Sequence, residues 1–169
     1  MSDTAPLILT AMLGPEDHRW ADDLRQAHFP PERNQLAAHL TMFHALPPSA
    51  APELKRRIVD ETRGVAAPDA SVARILDLGG GTALGIQSPG LVEIRARIAD
   101  AFHGSLTAQD AQGWRPHITI QNKVTRDAAK ALQAAMSADF RPRAIRIHGL
   151  AAWAYRGGPW EPLFEARFA

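Results

Sequence analysis

Two short segments carry residue types suited to acid–base chemistry on an anion. They are His39-Leu40-Thr41-Met42 and His117-Ile118-Thr119-Ile120, and their histidines lie 78 residues apart. In a strand, residues i and i+2 share a face. His39 and Thr41 therefore project together, as do His117 and Thr119, while Leu40, Met42, Ile118 and Ile120 point the other way into a core. Imidazole titrates near pH ~6.5, so at neutral pH one ring can accept a proton while a second donates one. Two such pairs facing one another across a cleft would suit phosphodiester chemistry: the rings move protons, and the hydroxyls hold the non-bridging oxygens.

One such triplet is close to chance. With seven histidines in the chain, random order gives on the order of 0.3 His-x-Thr triplets. Two copies with apolar flanks, each on an expected strand with a helix to follow, are far less common. His44 is expected on the opposite face of its strand. His18, His28, His103 and His148 read as surface or packing residues. No carboxylate cluster has metal-ligand spacing, and neither a metal nor a cofactor is expected. Gly79-Gly80-Gly81 lacks the lysine of a phosphate loop and joins two strand-like runs, so it reads as a hairpin turn. Trp114 is expected in core packing. Tyr155 and Trp160 flank the turn Arg156-Gly157-Gly158-Pro159 and are candidates for stacking on a base. Arg115, Lys123 and Arg156 are candidates for contacting flanking phosphates.

The elements that would position these residues follow from the apolar pattern. Pro6 to Leu13 reads as a buried strand ended by Gly14-Pro15. Glu16 to His28 reads as a helix with Trp20, Leu24 and Ala27 along one face. The first motif strand follows, then a helix capped by Ser49 and reaching about Arg63. Ser71–Leu78 and Thr82–Gln87 form a hairpin. Ser88-Pro89 opens a helix with Leu91, Ile94, Ile98 and Phe102 on one stripe. A polar loop leads through Gln112-Gly113 to the second motif strand. Thr125 or Asp127 caps a helix carrying Ala129, Leu132 and Met136. Phe140–Trp153 and Leu163–Phe168 are the last strands. Each motif strand thus has a strand and helix before it and a helix after it, the pattern of a duplication.

Composition excludes several alternatives. The absence of cysteine removes disulfides, thiol catalysis and thiolate metal sites. A net charge of +1 neither demands nor forbids a nucleic-acid partner. Met1 to Pro6 is polar, and the apolar run Leu7–Leu13 is too short for a signal core or a membrane span. A cytoplasmic protein is expected, acting as a monomer and without a membrane partner.

The two motifs, the second preceded by Pro116, resemble the paired signatures of the 2H phosphoesterase superfamily. Bacterial 2'-5' RNA ligase and cyclic phosphodiesterase-like proteins are the most similar branch. The resemblance implies one α+β domain over residues 1–169. Its two packed lobes would be antiparallel sheets forming a V-shaped cleft, flanked by helices and related by a pseudo-twofold. It implies hydrolysis of 2',3'-cyclic phosphates on RNA ends or small cyclic nucleotides, or ATP-independent 2'-5' joining. His39 and His117 would be the acid–base pair, in an order the sequence leaves open, and Thr41 and Thr119 the phosphate ligands. Many relatives have an arginine soon after the second motif, where this chain has Gln121-Asn122-Lys123. Other readings of the same cleft are an RNA-end or nucleotide binding module with little turnover, and an exonuclease that trims RNA 3' ends.

Overall fold

The computed structural model describes residues 4–169. Among the described residues there are seven strands and five α-helices. In order they are β1 (Leu7–Leu13), α1 (Pro15–His28), β2 (Leu40–Leu46), α2 (Ala51–Thr62), β3 (Asp69–Asp77), β4 (Thr82–Gln87), α3 (Pro89–Ala101), α4 (Ala108–Ala111), β5 (His117–Gln121), α5 (Arg126–Ala138), β6 (Arg143–Ala154) and β7 (Glu161–Arg167). The class is α+β, and every strand pairing is antiparallel.

The strands run in the order β2-β1-β6-β3-β4-β5, with β7 also on β6. The 12-residue strand β6 is the spine. Its residues 143–146 pair with β3, and residues 147–154 pair with β1. One sheet, β2-β1-β6-β7, therefore carries the first motif, and the other, β6-β3-β4-β5, carries the second. Both motif strands stand at the ends of the strand order. A strand, a helix and an antiparallel motif strand recur in the two halves: β1-α1-β2 and β4-α3-β5.

Burial follows the strand alternation at the motifs. Leu40, Met42, Ile118 and Ile120 are fully buried, within a core continuous from β1 and β2 to α3 and β5. Leu91, Ile94, Ile98 and Phe102 share the buried stripe expected for α3. The glycine run closes the β3–β4 hairpin. Gly79 adopts φ +83°, and a Cβ on Gly81 would lie 2.1 Å from the Gln121 carbonyl oxygen. That contact explains why the turn must be glycine: β4 and β5 meet there backbone to backbone.

Three local expectations are corrected, and one alternative is decided. Ser49 does not cap α2; Pro48–Ala50 form a 3-10 turn and Ala50 takes the cap position with no side-chain bond. Thr125, not Asp127, caps α5, accepting from the Ala128 N–H. Ala27 is exposed, because the inward face of α1 is centred on Ala21 and Arg25. The loop before the second motif contains α4, capped by Thr107. No helix among the described residues is long and apolar enough to cross a membrane.

Candidate active site

Both His-x-Thr pairs open onto one cleft of about 340 Å³, lined by His39, Thr41, His117 and Thr119. Each imidazole is oriented in the same way. The Nδ1 of His39 lies 2.8 Å from the Ala37 carbonyl oxygen, and that of His117 lies 2.8 Å from the Arg115 carbonyl oxygen. A carbonyl only accepts, so each ring carries its proton on Nδ1 and leaves Nε2 for the cleft. Two residues of backbone thus fix both the tautomer and the ring direction.

The motif strands are tied to one another by side chains from the opposite half. Arg25 of α1 donates from Nη1 to the Thr119 carbonyl at 3.0 Å and from Nε to Asn34 at 2.8 Å. Arg95 of α3 donates from Nε to the Met42 carbonyl at 3.0 Å. Each guanidinium lies over a phenylalanine, Arg25 over Phe29 at 4.0 Å and Arg95 over Phe43 at 4.2 Å. Trp114 adds a third tie, its indole N–H donating to the Thr41 carbonyl at 3.0 Å. It packs against the core as expected, but it also lines the cleft.

Burial holds the His39 imidazole below its ordinary titration range. The bond to the Ala37 carbonyl opposes this, while the Arg25 guanidinium, His117 and His44 add to the lowering. The Trp160 ring contributes to the enclosure, standing edge-on to His39 with centroids 4.8 Å apart. Burial thus favours the neutral form of the His39 ring, and the nearby Arg25 guanidinium adds to that preference.

The remaining sequence candidates divide. Trp160 and Arg115 line the cleft. Tyr155 is exposed and does not line it. Lys123 occupies a left-handed turn after β5 at φ 61°, and Arg156 pairs with Glu161 at 2.5 Å; neither lines the cleft. His44 corrects an expectation, since it lines the same cleft as His39 and Thr41. The pairing explains it: adjacent Leu9 and Thr10 face Phe43 and Thr41, so β2 carries one extra residue there. Met42 and Phe43 are both buried, and the alternation restarts with His44 on the cleft side. Arg25, Arg95 and Asp110 are site residues that sequence reasoning missed. Among the described residues no group of three or more metal-ligating side chains is arranged to hold an ion.

A second cavity of about 370 Å³ adjoins the cleft and shares His39 and Trp160 with it. Met12, Leu13, Leu36, Trp153 and Pro159 make it mainly apolar, and Glu165 stands among its lining residues. Trp153 is fixed by its indole N–H, which donates to Thr10 Oγ1 at 2.9 Å.

Comparison with known proteins bears on the fold and the family. The family model of the 2'-5' RNA ligase superfamily matches residues 13–159. No curated protein sequence matches the chain. Among solved structures, it is similar to E. coli LigT complexed with 3'-AMP, with a TM-score of 0.63 and 18% identity over 99% of both chains. A protein described as a phosphoesterase gives a TM-score of 0.61 at 20% identity, again over 99% of both chains. TT0787 of Thermus thermophilus gives 0.62 at 13% identity, over 96% of this chain and 97% of its own. At these identities the structures show the shared fold, and the family model, which spans most of the length, shows the lineage. The chain belongs to the 2'-5' RNA ligase superfamily, within the 2H phosphoesterases.

Proposed function

We propose that the protein is a metal-independent phosphodiesterase that opens 2',3'-cyclic phosphates on RNA ends or nucleotides. The observation that carries this reading is the convergence of both His-x-Thr pairs, with matched ring tautomers, on a single cleft. His39, held neutral by burial, accepts a proton from the attacking water at Nε2. The water oxygen bonds to phosphorus as one phosphorus–ribose oxygen bond breaks. His117, entering protonated, donates from Nε2 to the departing ribose oxygen, and the product is a phosphomonoester. Thr41 and Thr119 donate to the non-bridging oxygens, whose charge grows in the transition state. Solvent then resets the two rings. With a ribose hydroxyl in place of water, the same site would form a 2'-5' linkage.

The adjoining apolar cavity, with Trp160 at its edge, is the place for a nucleobase. Nucleotide-sized ligands are in keeping with E. coli LigT, which has been crystallised with 3'-AMP, with NADP+ and with ATP.

The test is hydrolysis of nucleoside 2',3'-cyclic phosphates in excess EDTA. Wild-type turnover should survive chelation. His39→Ala and His117→Ala should each lower kcat by about 10²–10⁴-fold, the usual contribution of a positioned acid or base. Turnover that either substitution leaves intact refutes the reading. Tight binding of a 2'-phosphonucleotide with no hydrolysis would instead favour a binding module.

A further inference from the structure

The proposed reaction uses four cleft side chains and leaves one built feature without a task. His44 is brought into the cleft by the bulge at Met42–Phe43. Asp110 holds it there. This carboxylate is 1% exposed and accepts from the His44 N–H at 2.8 Å, the Ala45 N–H at 2.9 Å and the His44 ring Nδ1 at 3.2 Å. Burial alone would raise the Asp110 carboxyl, but the His44 ring and the two backbone N–H groups outweigh it and hold it below the usual carboxylate range. Asp110 is itself fixed. Thr107 Oγ1 accepts its N–H, and Arg95 Nη2 donates to its carbonyl at 2.7 Å.

The two backbone N–H groups alone would suffice to satisfy a carboxylate that stabilises a bulge. The ring bond does something more. It directs an imidazole that lines the cleft and whose side chain is 42% exposed, with Nδ1 engaged. Arg115 lines the same cleft; it is exposed, and its guanidinium has no partner among the described residues. The apolar cavity reached past Trp160 is lined by neither residue.

Resting on the cyclic phosphodiesterase reading, we infer that His44, aimed by Asp110, forms with Arg115 a subsite for a second phosphate of the substrate. The ligand class is a nucleotide or RNA end bearing another phosphate one linkage from the reacting one. The reacting phosphate sits between His39 and His117, the second phosphate meets the His44 and Arg115 donors, and a base enters the apolar cavity. The Arg115 guanidinium donates to phosphate oxygens directly; His44, whose Nδ1–H is given to Asp110, donates from Nε2 as the imidazolium that a carboxylate on one side and a phosphate on the other would stabilise.

The experiment is a calorimetric comparison of two probes, adenosine 3',5'-bisphosphate and adenosine 3'-monophosphate. Wild type should bind the bisphosphate at least tenfold more tightly. His44→Ala and Arg115→Ala should each reduce that preference threefold or more, and the preference should weaken steeply with added salt. Arg115 is exposed, so its variant keeps the test valid if His44→Ala folds poorly. An unchanged preference in Arg115→Ala and in folded His44→Ala overturns the subsite. So does a His44→Ala variant that loses kcat while keeping the preference, which would move His44 into the reaction itself. Binding requires no turnover, so failure of the subsite is separable from failure of the hydrolytic reading.

Discussion

Replacing Arg25 by methionine tests whether the cleft is braced and charged from the opposite half. Methionine keeps most of the volume and the packing on Phe29, but it removes the bonds to Thr119 O and Asn34 Oδ1. Hydrogen bonds from charged donors are worth about 1.5–3 kcal/mol each, so the gross loss is about 3–6 kcal/mol. Part returns, because burial holds the Arg25 guanidinium below its usual range and the variant no longer buries a charge. A net destabilisation of about 2 kcal/mol is expected, or about 4–8 °C in Tm for a chain of this size, read by urea and thermal denaturation. A second effect is electrostatic. Arg25 is one of the positive groups that lower His39, so its removal should let the His39 pKa rise, although burial remains. If His39 is the base, the acidic limb of kcat/KM in wild type lies below pH 6.5 and moves toward neutrality in Arg25→Met. A variant as stable as wild type, with its acidic limb unmoved, refutes both parts of the argument.

Three further outcomes follow. Trp114→Phe removes the indole donor to Thr41 O and shrinks a ring packed on the core, and should cost at least about 1 kcal/mol by urea denaturation, with a fall in kcat as Thr41 loosens. Asp110→Asn should be destabilised at pH 7. Its deficit should shrink below pH 4, because the folded carboxyl is depressed and its stabilisation is lost as pH falls through that lowered value; parallel curves at pH 7 and pH 3 would contradict this. Trp160→Ala should raise KM for a nucleoside cyclic phosphate about fivefold to a hundredfold, the loss of one stacked base, in steady-state assays against a substrate without a base.

The motif strands were legible because strand alternation is local. Leu40 and Ile118 point inward for the same reason that His39, Thr41, His117 and Thr119 point outward. The braces were not legible, because their partners are far apart in sequence. Arg25 reaches Thr119 and Asp110 reaches His44 only after both sheets have formed, and nothing around either residue marks it as buried. Arg25 even reversed the reading of α1, where apolar Ala27 faces solvent and a charged residue faces inward. His44 is the instructive miss. Met42 and Phe43 are adjacent apolar residues in an otherwise alternating strand, and that doubled position was the available signal of a bulge.

The crossed arginines have a consequence for how such a site can be assembled. Arg25 begins in the first half and ends on the second motif strand; Arg95 begins in the second half and ends on the first. Contacts of the form i to j and j to i are the signature of an isologous interface, the kind that joins two copies of one chain about a twofold axis. Here a comparable exchange joins the two halves of a single polypeptide, although the two arginines meet different motif positions, Thr119 and Met42. Neither half carries the arginine that reaches its own motif strand, so one half expressed alone would leave that strand without its guanidinium bond. Two halves supplied as separate chains would have to dimerise before either motif strand was held in place.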